Sequence, residues 1–460
     1  METETIAAVA TALSQSGISI IRISGSDAIS IADTVFLNGK KEHILKKVKS
    51  HTIHYGFVYD GEELLDEVMV SVFHAPKSYT TEDTVEINCH GGVLITKRIL
   101  ELVLKHGARL AQPGEFTKRA FLNGRIDLSK AEAVMDVIHS SNELALKSSV
   151  SQLRGSVFQT IKQLREKILY EIAFIESALD DPEHISLEGY QEKLSSVLQE
   201  LIFSLKKLLD GADSGKIIKE GIKTVILGKP NVGKSSLLNL LAGEEKAIVT
   251  NIAGTTRDAL EESIKIKGIG FQMIDTAGIR STEDVVEKIG VEKAIRFAKD
   301  ADLILYVIDS SVILDENDFE IFPLLKGKHA VILLNKTDLP SVVTEEEIKK
   351  ESGGLYPIVK ISTTKHTGIE ELEDTVSQLF FHGMISFQNE VYLTNLRHKE
   401  AVREAYESLL MVEKSISMNL PEDFYSIDLM NSYAQLGRII GEEVDDDLVN
   451  EIFSKFCMGK

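Results

Sequence analysis

Tryptophan is absent from this chain, proline occurs 8 times and cysteine only twice. Cys89 and Cys457 stand far apart with no paired spacing, which excludes a disulfide framework or a cysteine-rich zinc site and fits a reducing compartment. No apolar run approaches the roughly 20 residues that span a bilayer, and the opening METETIAAVATALSQSG has no basic segment ahead of its apolar stretch. The expectation is a soluble, cytoplasmic protein without a membrane span. Positive charge is also short: 51 Lys and Arg against 71 Asp and Glu leave a net charge of −20. That balance excludes a surface built for general phosphate-backbone binding, so any work on nucleic acid is local or shared with a partner. Low-complexity tracts are missing, and 43% hydrophobic with 27% charged residues suffices for sizeable cores.

Length is what the chain does have. Its 460 residues exceed the roughly 250–300 that one core supports, so two or three domains are expected. Residues 1–118 predict a compact α+β domain, with strands at 18–23, 50–60, 67–73 and 84–89 and a helix at 93–105 after Gly91-Gly92. Over 119–216 the period turns helical: Val157, Ile161, Leu164, Ile168, Ile172, Ile175 and Leu179 recur every three or four residues, and a second run from Tyr190 to Leu208 follows the break at Pro182. Residues 217–378 alternate β-rich runs (223–228, 263–266, 270–275, 303–309, 330–335, 356–362) with helical ones, the order of a doubly wound parallel sheet. Residues 379–460 return to helices. The expected fold class is multidomain α/β: an N-terminal α+β domain and a split all-α helical domain into which a Ras-like, P-loop NTPase domain is inserted.

The string from Gly228 to Ser235, GKPNVGKS, follows an apolar strand and precedes a helix, the context that a G-x-x-x-x-G-K-[ST] phosphate loop requires. Backbone N–H groups of Asn231, Val232, Gly233, Lys234, Ser235 and Ser236 are placed to wrap phosphates, Lys234 to reach the β/γ oxygens, and Ser235 to ligate Mg²⁺. Asn335-Lys336-Thr337-Asp338 ends another strand and resembles the NKxD guanine signature. A carboxylate at Asp338 accepts from guanine N1–H and its amine, whereas adenine offers an acceptor at N1 and no 2-amino group. The expected nucleotide is GTP. Asp275-Thr276-Ala277-Gly278 places a carboxylate near Mg²⁺ and a glycine amide near the γ-phosphate. Between these lies Thr250-Asn251-Ile252-Ala253-Gly254-Thr255-Thr256, with Thr256 as the direct Mg²⁺ contact by analogy. Ser362, with the two threonines after it, stands in the fifth position, where an ordinary strand-ending loop reads equally well. The residues after Gly278 are Ile279 and Arg280, so the glutamine that orients water in Ras-type enzymes has no counterpart here.

GKPNVGKSS, TNIAGTTRD, DTAGIR and NKTD, taken with RISG near the start, the block PGEFTKRAFLNGRIDLSKAEAVMDVI and the closing FCMGK, resemble the MnmE (TrmE) family of tRNA-modifying GTPases over essentially the whole chain. The resemblance implies a K⁺-activated GTPase whose G domains pair across the nucleotide, with Asn231, Thr250, Ile252 and Thr255 around K⁺ and Glu287 orienting the water. Without the resemblance Glu287 is one of several solvated helix acids. It further implies a homodimer, a tetrahydrofolate one-carbon carrier (5-formyl or 5,10-methylene) bound by Arg22, Glu86, Arg125 and Lys460, and a terminal Cys457 approaching that carrier. By themselves those arginines are surface charges, Glu86 an outward strand residue and Cys457 either a frayed or a reactive thiol; Cys89 reads as a small buried hydrophobe. The implied partners are tRNA and MnmG, a flavoprotein using FAD and NADH, in a joint complex that modifies C5 of a wobble uridine. A ribosome-assembly or regulatory GTPase is the competing reading, since PNVGKSSLLNLL also occurs there; the basic RNA-binding module such proteins carry is not visible.

Overall fold

The computed structural model describes residues 4–244, 262–266, 269–273, 296–381 and 392–459. The chain divides into two compact units: residues 1–135, 152–177 and 429–460 form one, residues 136–151 and 178–428 the other. Among the described residues, no helix is long and apolar enough to cross a membrane.

The first unit is organised by a seven-stranded sheet of β1 (Ile6–Val9), β2 (Ile18–Ser24), β3 (Phe36–Asn38), β4 (Thr52–Asp60), β5 (Glu63–Phe73), β6 (Thr84–His90) and β7 (Arg109–Leu110), in the order β3-β4-β5-β6-β2-β1-β7. All pairings are antiparallel except β1 with β7. Side chains alternate across such strands, so β6 sends Val85, Ile87 and Cys89 into the core and turns Glu86 and Asn88 outward. Ile21 and Ile23 of β2 and Val68, Val70 and Val72 of β5 join the same layer, closed by the helices Ala28–Val35 and Val93–Lys105 through Ile31, Ile99 and Val103. Each such fully buried aliphatic side chain contributes about 1.5–3 kcal/mol. Burial also pushes the Cys89 thiol up to about 11, as suits a small core hydrophobe. The expected strands and the helix at 93–105 are present. The short elements β1, β3, β7 and Ala28–Val35 were not foreseen, because two to four residues of strand, or two turns of helix, give too few repeats for a periodic pattern to stand out. In the same unit the helix Ser156–Asp180 buries Val157, Ile161, Leu164, Ile168 and Ile175, and the chain returns at residues 429–454.

The second unit holds a six-stranded sheet, β8 (Ile222–Leu227), β9 (Glu262–Ile266), β10 (Ile269–Met273), β11 (Leu303–Asp309), β12 (His329–Asn335) and β13 (Ile358–Lys360), in the order β13-β12-β11-β8-β10-β9. Every neighbour is parallel except β9, which runs antiparallel to β10. That one departure from an all-parallel sheet follows from the short link after Ile266: two residues close a hairpin, whereas a parallel crossover needs a dozen or more. β11 is buried along its whole length because layers cover both of its faces. Leu303, Leu305 and Val307 pack with Leu237, Leu241, Leu372 and Val376, while Ile304, Tyr306 and Ile308 pack with Phe322, Leu325 and Ile348. The sheet is therefore doubly wound. The helices Tyr190–Glu220 and Leu396–Ser417 pack on each other through Leu194, Leu201 and Leu205 of one and Val402, Leu409 and Val412 of the other.

Candidate functional site

The carboxyl ends of β8, β11 and β12 share one edge of the parallel sheet, the edge where ligands of open α/β folds bind. β8 ends at Leu227, the loop spans 228–233, and the helix Lys234–Glu244 begins at once. Gly233 has φ +102°, and a Cβ there would lie 2.2 Å from Asn335 Nδ2, so no other residue type fits without displacing that amide. Asn231 takes a left-handed φ of +63°, which asparagine tolerates better than most residues. Val232 is buried, Ser235 half-buried and Ser236 exposed. The Lys234 ammonium donates to the carbonyls of Gly228 at 2.7 Å and Lys229 at 2.6 Å. Among the described residues no carboxylate pairs with it, and burial lowers its pKa to about 8. A half-buried cation held by two neutral carbonyls at a helix N-terminus is a site that gains by receiving an anion.

Asn335 is buried, donates from Nδ2 to Val232 O at 2.8 Å, and accepts at Oδ1 from the Thr363 amide at 3.1 Å. It thus ties the phosphate loop to the loop after β13 rather than facing solvent. Lys336, at φ +63°, pairs with Asp309 Oδ2 at 2.6 Å. Burial pushes Asp309 up, but the hydrogen bonds from Lys336 and Ser311 outweigh it and hold the carboxyl below its usual range. Asp338 Oδ1 accepts from Ser362 Oγ at 2.6 Å, the main cause of its lowered pKa. Ser362 is itself buried, and its hydroxyl is held against Asp338. Asp309 and Thr363 were missed in the sequence; the signal for Asp309 was its place at the end of a fully apolar strand on the nucleotide edge. Thr250 to Thr256, Asp275 to Gly278, Glu287 and Lys460 lie outside the described residues.

A second constellation forms on the outward face of the first unit's sheet. Arg22 and Glu86 are register partners on β2 and β6, and Arg22 Nε meets Glu86 Oε1 at 2.8 Å. Arg22 also donates to Gly459 O at 3.3 Å. Arg125 donates to Tyr79 O at 3.0 Å and lays its guanidinium over the Tyr79 ring, 4.9 Å from its centre. The Arg22 guanidinium lies 5.6 Å from the centre of that ring and of Phe116. Glu86, Arg125, Tyr79, His51, Lys77 and Asn123 line a cavity of about 670 Å³. Glu86 is engaged by Arg22 at one carboxylate oxygen. Tyr79 is the organising residue that sequence reasoning missed, since nothing local marks a tyrosine in KSYTTED as a ring between two arginines. Cys457 is exposed, and its carbonyl accepts from the Gly114 amide at 3.4 Å. Lys455 pairs with Glu451 at 2.9 Å on its own helix.

Two family descriptions match: "GTP-binding protein TrmE N-terminus" over residues 5–125 and "MnmE helical domain" over residues 128–457. The tRNA modification GTPase MnmE of Lachnoclostridium phytofermentans is 57% identical over 100% of both chains. The proteins of that name from a Thermoanaerobacter species and from Clostridioides difficile are 48% and 47% identical, each over 99% of both chains. Family descriptions and relatives that match over the length of the chain agree: this chain belongs to the MnmE (TrmE) family.

Proposed function

We propose that this protein hydrolyses GTP and that the hydrolysis drives a step in tRNA modification. The observation that carries the reading is the arrangement at one sheet edge: Lys234 on its two loop carbonyls, Gly233 packed against Asn335, and Asp338 braced by Ser362. In this reading Lys234 exchanges the Gly228 and Lys229 carbonyls for the β/γ oxygens, and the loop amides of 231–236 hold the phosphates in line. Asp338 reads guanine N1–H and the exocyclic amine, and Ser362 keeps its carboxylate aimed. Ser235 and Thr256 would hold Mg²⁺ and Asn231, Thr250, Ile252 and Thr255 K⁺; the oxygen-only donors suit hard cations, which supply charge to the transition state. Glu287 would orient the attacking water.

The finer assignments follow the family. The face with Arg22, Glu86 and Arg125 would bind a tetrahydrofolate one-carbon carrier: Glu86 would read the amine edge of a pterin, the arginines and Lys460 would meet its glutamyl carboxylates, and the Tyr79 ring, under the Arg125 guanidinium, would offer a face for stacking. Cys457, two residues before the carbonyl that Arg22 holds, would approach that carrier. The protein would act as a cytoplasmic homodimer with MnmG, adding a carboxymethylaminomethyl or aminomethyl group to C5 of the wobble uridine. With a charge of −20, most of the basic surface for tRNA would come from the partner. In domain terms, 1–118 would be the folate and dimerisation domain, 217–378 the GTPase, and 119–216 with 379–460 the helical part. Phosphate release from GTP in KCl and in NaCl tests the hydrolysis: faster turnover in KCl is expected, and no turnover in either salt would sink the reading. Unmodified wobble uridines in tRNA from a deletion strain are the expected cellular result; unchanged ones would remove the tRNA assignment.

A further inference from the structure

A buried charge cluster lies at the root of the phosphate loop, behind the face that meets the nucleotide. Asp318 is fully buried. Its Oδ1 accepts from the Tyr306 hydroxyl at 3.0 Å, and its Oδ2 accepts from the Lys229 ammonium at 2.6 Å and from the Asp315 amide at 3.1 Å. Asp315 Oδ2 takes a further bond from Lys229 at 2.9 Å. The Lys229 side chain is only 14% exposed. Tyr306, on the fully buried β11, packs edge-on against Phe322 with ring centres 5.4 Å apart. Three separate pieces thus meet at one carboxylate: the central strand, the N-terminus of the helix Glu316–Ile321, and the second residue of GKPNVGKS.

The Lys229 side chain is not built as a phosphate-binding cation. Its charge is opposed by two carboxylates, which leave the cluster with a net charge of −1 and no attraction for an anion. Its main chain, by contrast, is in the phosphate site, because the Lys229 carbonyl is one of the two that hold Lys234. Fixing the side chain of Lys229 from behind therefore fixes the carbonyl in front. A buried ion pair is a weak source of net stability but an effective way to specify one geometry, since either partner alone is left with an uncompensated charge.

Given the GTPase reading above, we infer that Asp318 is a positioning residue of the phosphate loop, clamping Lys229 so that the loop carbonyls and amides are set before nucleotide arrives. A preset loop spares ordering cost on binding and does so equally for ground and transition states, so its loss is read in KM and in GDP affinity rather than in kcat. The test compares the full-length wild type with Asp318→Asn, Lys229→Met, the double variant and Lys229→Arg, measuring affinity for a fluorescent GDP analogue, kcat and KM for GTP, and thermal unfolding. Each of the first two variants is expected to weaken GDP binding and raise KM about tenfold with kcat within about twofold; the double variant is expected to be no worse than the weaker single, and Lys229→Arg to recover most of the loss. Losses that multiply in the double variant, or single variants that melt earlier yet bind GDP like the wild type, would overturn the clamp. If Asp318→Asn does not fold, Lys229→Met and Lys229→Arg decide the matter by the same readouts. A wild type that binds no guanine nucleotide overturns the GTPase reading and the clamp together, whereas a normal wild type with unaltered variants overturns the clamp alone.

Discussion

The two constellations are made of different material. At the sheet edge of the second unit the groups proposed to meet the nucleotide are mostly main chain, held by a glycine with no room for a Cβ and by one asparagine that bonds two loops at once. On the sheet face of the first unit they are long charged side chains, cross-paired between strands and layered on a tyrosine. A main-chain cradle is rigid and blind to all but shape and charge, which suits phosphates common to every nucleotide. On the proposed reading its selectivity comes from one added carboxylate, Asp338. A side-chain face can read a more complex molecule, at the cost of ordering several long residues, and Arg22 lowers that cost by lying already bonded to Glu86 and Gly459.

If the contrast is right, damage to the cradle should be severe and damage to the face selective. Lys234→Ala should reduce GTP hydrolysis by about 10²–10³-fold, the scale of losing one preorganised charged donor to a transition state; a loss below tenfold in phosphate release would show that the cradle does not depend on it. Asp338→Asn should cut GTP affinity by roughly a hundredfold while leaving the fold's melting temperature nearly unchanged, because on the proposed reading the carboxylate is what pairs with guanine, whereas an asparagine still offers an oxygen to the Ser362 hydroxyl. Glu86→Gln should weaken binding of a formyl-tetrahydrofolate analogue by about tenfold and leave GTP hydrolysis in the free protein unaltered; a parallel loss of both would erase the distinction between the regions.

The smallest effect concerns pH. Lys234 sits near 8 because burial disfavours its charge, and a bound polyphosphate raises it again, so binding takes up a proton when the pH is near or above 8. GDP affinity should be flat below about pH 7 and fall above 8 by at most tenfold per unit. The unliganded protein moves the other way: its folded state binds fewer protons than the unfolded one between about 8 and the ordinary lysine value, so this group adds stability as pH rises through that window. Titrations of affinity and of thermal unfolding across pH 6.5–9.5 check both signs, and Lys234→Met should remove the part of each slope that Lys234 supplies.

Much of the architecture could be read from the chain because it is carried by short-range pattern. The long helices announced themselves by apolar residues at three- and four-residue spacing, and the central strands of the parallel sheet by runs that are mostly apolar. The phosphate-loop motif occupies eight consecutive residues, six in the loop and two opening the helix, so its physics is local. The face around Tyr79 is the opposite case: Arg22, Tyr79, Glu86, Arg125 and Gly459 come from five separate segments, and only the pairing of β2 with β6 and the return of the chain end bring them together. Asp318 was likewise invisible, since an acid in LDENDFE reads as a solvated helix start until Tyr306 and Lys229 are seen to converge on it.

The sequence by itself determined the periodicities, the loop glycines, the Asn-Lys-Thr-Asp string and the resemblance to the family, because each resides in residues a few positions apart. The tertiary structure decided which strand edges meet, that Asn335 bonds the phosphate loop, that Ser362 acts through Asp338, and which charges are buried in pairs. Those outcomes depend on contacts between residues tens to hundreds of positions apart, and a charge's role changes from solvated to positioning only when another element closes over it.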